Sequence, residues 1–162
     1  MKEKIVNEGG INGLGKGVVN INSKDFKALQ EMIKERYKSL KPEEKRNNIL
    51  LSIRFQMESY LERNDGTLKS VGLFIKDLTK ELGIKNRDLA NYLDYEESNL
   101  SSFLNGRRKL NADLAIKLGK IFKLSPSLLM NVQIQNELKK FEKENKKNYL
   151  SYDIEDLLAK TG

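Results

Sequence analysis

Between residues 85 and 109 the chain gathers side chains suited to gripping a polyanion. Lys85, Asn86 and Arg87 stand at one end, and Asn105, Arg107, Arg108 and Lys109 at the other. Guanidinium and ammonium groups only donate hydrogen bonds, so phosphate oxygens are their natural partners. Between these two groups lie Glu96, Glu97, Ser98, Asn99, Ser101 and Ser102. Hydroxyls and amides both donate and accept, which suits the edges of nucleic-acid bases. A carboxylate accepts only; it repels phosphates but can take a hydrogen bond from cytosine N4. Plainer uses exist for the same groups. Two arginines also suit a solvated turn or the negative end of a helix, and Ser101 and Ser102 could be surface hydroxyls. The chain has no histidine and no cysteine. Disulfides, imidazole or thiolate metal sites, and catalysis by those side chains are therefore excluded. Paired carboxylates alone make no catalytic constellation, so neither an enzyme nor a cofactor is expected.

Helices must position these groups. Leu89, Ala90 and Leu93 repeat at helical spacing, as do Leu100, Phe103 and Leu104. Ala90 is small enough to let two helices cross closely. Asp94 falls at the turn between them, where a left-handed residue is commonly required; Gly is easiest there and Asp or Asn is tolerated. Gly106 then closes the second helix. The spacing predicts a helix-turn-helix, with its third-in-module helix from about Glu96 to Leu104 as the recognition element.

At 162 residues the chain suits one core domain with additions. Two prolines, no tryptophan and abundant Lys, Glu and Leu point to an all-α protein. The net charge of +7 is unevenly spread, with 11 basic and 7 acidic residues between 68 and 125. A basic domain favours a polyanionic partner through counterion release, although a solvated Lys-rich surface would have the same composition. No apolar run approaches the roughly 18 residues of a membrane span, and the first ten residues lack a signal-peptide core, so a cytosolic location is expected.

Taken in order, residues 1–22 read as a flexible Gly-rich arm, with a short extended piece at 18–21. Gly10, Gly15 and Lys16 have phosphate-loop spacing, but Gly17 replaces the hydroxyl that would hold Mg²⁺. Residues 23–66 read as a helical hairpin. Ser23 caps its first helix, which carries Phe26, Leu29, Ile33, Tyr37 and Leu40. Pro42, Glu43 and Glu44 open its second, which carries Ile49, Ile53, Met57, Tyr60 and Leu61. Both stripes are read as packing surfaces. Asn64, Asp65 and Gly66 mark a boundary. Residues 67–147 read as a five-helix domain. Its first helix carries Val71, Phe74, Ile75, Leu78 and Leu82 and stops at Gly83. Asn86 opens the second, Asn111 or Leu110 leads into the fourth, and Ser125-Pro126 starts the fifth, which carries Leu128, Leu129, Val132, Gln135, Leu138 and Phe141. Residues 148–162 read as an amphipathic tail with one short helix, apolar at Tyr152, Ile154, Leu157 and Leu158 and acidic at Asp153, Glu155 and Asp156.

The run Leu104-Asn105-Gly106-Arg107-Arg108, then Leu114-Ala115-Ile116-Lys117-Leu118, then Ser125-Pro126 with Asn131-Val132-Gln133, resembles the HigA-like antitoxins of the XRE helix-turn-helix family. The likeness spans roughly residues 71–138. It implies a five-helix repressor-type fold, a homodimer on an inverted-repeat operator in double-stranded DNA, repression of the protein's own operon, and capture of an RNA-cleaving toxin of the RelE/HigB type. Three features depart from the pattern: Met130 where Trp and Leu are usual, Asp94 in place of the turn Gly, and Glu96 with Glu97 at the start of the recognition helix. The glutamates either specify cytosines or weaken the DNA site. Two alternatives therefore stand beside the antitoxin: a stand-alone repressor, and a protein-interaction module with a degenerate helix-turn-helix.

Overall fold

The computed structural model describes residues 22–63, 66–150 and 152–161. Residues 1–21 of the expected arm at 1–22, with its phosphate-loop spacing, the turn residues 64 and 65, and residues 151 and 162 lie outside the described residues. Every described element is helical: α1 (Lys24–Ser39), α2 (Pro42–Glu62), α3 (Val71–Glu81), α4 (Asn86–Leu93), α5 (Glu97–Leu104), α6 (Ala112–Phe122), α7 (Pro126–Tyr149) and α8 (Ile154–Thr161). None of them is long and apolar enough to cross a membrane. The chain divides into two compact units, one ending at Lys45 and the other beginning at Arg46.

In the first unit Ser23 caps α1, its Oγ accepting from the Phe26 N–H at 3.1 Å. The turn into α2 is held by the Lys41 N–H, which donates to Glu44 Oε2 at 2.8 Å. Lys45 Nζ also donates to the Lys38 carbonyl at 3.1 Å. Leu29, Met32, Ile33 and Tyr37 form the apolar stripe of α1, yet no residue of α1 is buried. That face is exposed among the described residues. Helical spacing identifies an apolar face without identifying anything to cover it.

The second unit is built on one continuous core. Phe74, Ile75 and Leu78 of α3, Leu89, Ala90 and Leu93 of α4, Leu100, Phe103 and Leu104 of α5, Leu114, Leu118 and Phe122 of α6, and Leu129 and Val132 of α7 all join it. So do Ile53, Met57 and Tyr60 of α2. Tyr60 meets Phe74 edge-on, with ring centroids 5.5 Å apart. Its hydroxyl accepts from the Lys69 N–H at 2.9 Å and lies within donating reach of Asn136 Oδ1 and the Thr67 carbonyl. Asn136 Nδ2 donates to the Lys69 carbonyl at 2.8 Å. The backbone entering α3 is thus tied to both α2 and α7.

Four helices end on residues in the left-handed region: Gly83, Asp94, Gly106 and Lys123. Asp94 has φ 51° and ψ 53°, the conformation expected of it. Around it the Tyr95 N–H donates to the Ala90 carbonyl at 2.9 Å and the Asp94 N–H to the Asn91 carbonyl at 3.2 Å. These paired bonds satisfy carbonyls that the end of α4 would otherwise leave open. The apolar row of α7 outlasts the core. Leu138 and Phe141 are about half exposed, and the backbone leaves helical geometry at Asn145.

Candidate nucleic-acid interface

Packing against α3 and α6 fixes the α4–α5 pair. α3 approaches so closely that a Cβ on Gly72 would stand 1.8 Å from the Phe103 carbonyl oxygen. From the other side Lys117 Nζ donates to the Leu93 carbonyl at 3.2 Å, adding a cation at the negative end of α4. The loop leaving α5 is clamped to α7 by a reciprocal amide pair. The Leu110 N–H donates to Gln133 Oε1 at 2.6 Å, and Gln133 Nε2 donates to the Leu110 carbonyl at 3.1 Å. α5 and the loop that follows it are thus both fastened to the core.

Neither helix of the pair has a side-chain cap. Lys85 precedes α4 and Glu96 precedes α5, and neither accepts from the first-turn N–H groups. α3 and α6, by contrast, are capped by Ser70 and Asn111. Open first-turn N–H groups beside Lys85, Asn86 and Arg87 are the arrangement that holds a phosphate at a helix N-terminus.

The candidate residues divide by what already holds them. The side chains of Lys85, Arg87, Glu97 and Arg107 are exposed, with no hydrogen bond or ion pair among the described residues. Lys109 pairs with Glu137 at 3.1 Å. Asn105 is locked: Lys76 Nζ donates to its Oδ1 at 2.7 Å, and its Nδ2 donates to the Ser101 carbonyl at 2.8 Å. Glu96 accepts from Ser98 Oγ and from Asn99 Nδ2, both at 2.9 Å. Asn99 Oδ1 in turn accepts from Arg108 Nη1. Ser98 and Glu97 are exposed, whereas Asn99, Ser101 and Ser102 are half-buried on the flank of α5. Sequence reasoning missed Lys76, Lys117 and Gln133, which hold the site without belonging to it. Lys117 and Gln133 fell within the Leu114-Ala115-Ile116-Lys117-Leu118 and Asn131-Val132-Gln133 runs, whereas Lys76 carried no signal.

Fold and site together define a five-helix helix-turn-helix domain, α3–α7, with the α4–α5 pair as its two-helix unit. A curated relative, an uncharacterized HTH-type transcriptional regulator of Haemophilus influenzae, is 30% identical over 70 residues, or 43% of this chain. The match spans 65% of that relative's length. A hypothetical protein from E. coli has the same fold, with TM-score 0.51 and 22% identity over 57% of this chain and 99% of that one. Two further solved structures each give a TM-score of 0.48. One is an addiction module antidote protein of the HigA family from Coxiella burnetii, 24% identical over 52% of this chain and 94% of that one. The other is a Pseudomonas aeruginosa protein in complex with its 18-base-pair operator DNA, 25% identical over 51% and 88%. No family model matches the chain.

Proposed function

We propose that this protein is a sequence-specific DNA-binding regulator of the HigA antitoxin type. Two copies would set their α5 helices in successive major grooves, about 34 Å apart, on an inverted repeat upstream of the protein's own gene. Occupancy of that site represses transcription. The observation that carries this reading is the rigid α4–α5 pair with its left-handed turn at Asp94, flanked by the uncommitted cations Lys85, Arg87 and Arg107. The relative from Haemophilus influenzae, an HTH-type transcriptional regulator, supports it.

The second half of the proposal is capture of a basic, RNA-cleaving toxin of the RelE/HigB type by surfaces outside α3–α7. It rests on the acidic α8 segment, whose residues 152–160 are all exposed, and on the uncovered stripe of α1.

Binding of the purified protein to its own upstream DNA across a salt series tests the first half. Tight binding that falls steeply with salt is expected, as counterions are released from neutralised phosphates. Arg107→Ala should weaken binding to every sequence alike and reduce the salt slope by about one unit. Affinity no better than for random duplex would sink the regulator reading and favour the interaction module.

A further inference from the structure

We propose that Arg108, held by Asn99 and Glu96, forms a guanine-reading site at the start of α5; the inference rests on the DNA-binding reading above. In the sequence Arg108 stands four residues beyond the end of α5, beside Arg107, where both would be phosphate clamps. The structure separates them. Arg107 points free, whereas the Arg108 guanidinium turns back to donate through Nη1 to the Asn99 side-chain oxygen, on the first turn of α5. That turn is the part of a recognition helix that meets base edges.

The chain of hydrogen bonds behind Arg108 fixes its aim. Asn99 offers one oxygen and one nitrogen, and both are assigned by their partners: Oδ1 accepts from Arg108 and Nδ2 donates to Glu96 Oε2 at 2.9 Å. Ser98 Oγ donates to the other carboxylate oxygen of Glu96, also at 2.9 Å. Both Glu96 oxygens are thereby occupied within the chain. Glu96 is a positioning residue here, and Glu97 is the neighbouring exposed carboxylate with no partner among the described residues.

Guanidinium chemistry then selects the base. Arg108 keeps donors in a planar fork beyond the one given to Asn99, and it has no acceptor. Guanine alone presents two neighbouring acceptors, O6 and N7, in the major groove; adenine and thymine each offer one there, and cytosine offers a donor. A guanidinium already anchored on one side also loses less freedom when it docks.

The test is binding selection from a library of 20-base-pair duplexes with randomised positions, comparing the full-length protein with Arg108→Lys, Arg108→Ala and Glu96→Ala. Circular dichroism melts check that each variant folds. The wild type should select guanine at one position in each half-site. Arg108→Lys keeps the charge and loses the fork, so it should keep the salt slope and lose that preference, with the best duplex bound about tenfold more weakly. Glu96→Ala should blunt the same preference without touching other positions. A guanine preference that survives Arg108→Lys, or an Arg108→Ala variant that weakens all duplexes evenly, would make Arg108 a phosphate clamp and overturn the site. Failure of the wild type to select any sequence is a distinct result; it removes the DNA reading and this site together.

Discussion

Asp94 carries the turn of the helix-turn-helix at a backbone conformation that costs an L-residue about 1–2 kcal/mol relative to glycine. Its charge also sits at the negative end of α4, where the helix dipole disfavours an anion. Against this, glycine would add freedom to the unfolded chain. The favourable terms outweigh that cost, so Asp94→Gly should stabilise the fold by about 1 kcal/mol in a denaturant titration and tighten DNA binding by removing a negative charge. A decrease in stability would mean that Asp94 does more than tolerate the turn. Gly72 is the opposite case. The Phe103 carbonyl occupies the place of a Cβ, and both groups belong to helix backbone in the core. Gly72→Ala should therefore cost about 3 kcal/mol by forcing α3 and α5 apart; an unchanged melt would refute that close crossing. Spacing made the left-handed turn legible, because turn chemistry is local. Gly72 was not legible, since a helical glycine looks like any weak helix position until its neighbour is known. Glu96 and Glu97 were indistinguishable because spacing does not say which of two neighbouring carboxylates is taken up: Glu96 accepts from Ser98 and Asn99, whereas Glu97 has no partner among the described residues.

At the level of elements, caps and periodicity marked all the described helices, and both are short-range signals. What they could not mark is which apolar face meets which. The stripes of α1 and α2 read alike in sequence, yet α1 buries nothing while α2 sends Ile53, Met57 and Tyr60 into the core shared by α3–α7. One helix therefore offers an internal comparison. Met57 is fully buried and Leu51, on the same helix, is half exposed. Met57→Ala should destabilise by about 3 kcal/mol through lost contacts and the cavity left behind. Leu51→Ala should change stability by no more than about 0.5 kcal/mol. Equal effects in urea unfolding would show that α2 is not part of the domain's core. The Tyr60–Asn136–Lys69 connection makes the same point in polar groups, because it ties α2 and the segment entering α3 to α7, which lies far away in sequence.

Over the whole molecule, charge differs between the central helix-turn-helix region and the last helix. The helix-turn-helix region is basic, whereas Asp153, Glu155 and Asp156 put acid on α8 and the residue just before it. An acidic amphipathic helix is electrostatically misplaced for DNA and well placed for a cationic protein, as the proposed RNA-cleaving toxin would be. A helix of eight residues is marginal alone, so on docking to such a partner it would gain order and could release it readily. Residues 152–160 are all exposed and supply nothing to the core cluster. Deleting residues 149–162 should consequently leave the melting temperature within about 2 °C of the parent, since exposed segments contribute little to stability. Affinity for the upstream DNA should be retained or slightly raised, because acid is removed. Neutralisation of a co-expressed toxin, read as rescue of bacterial growth, should be lost. The three readouts separate the possible failures. A fallen melting temperature would mean that the tail is structural, and weakened DNA binding would mean that it shapes the regulator. Full growth rescue by the truncated chain would move toxin capture to another surface, and the uncovered stripe of α1 would be the next to mutate.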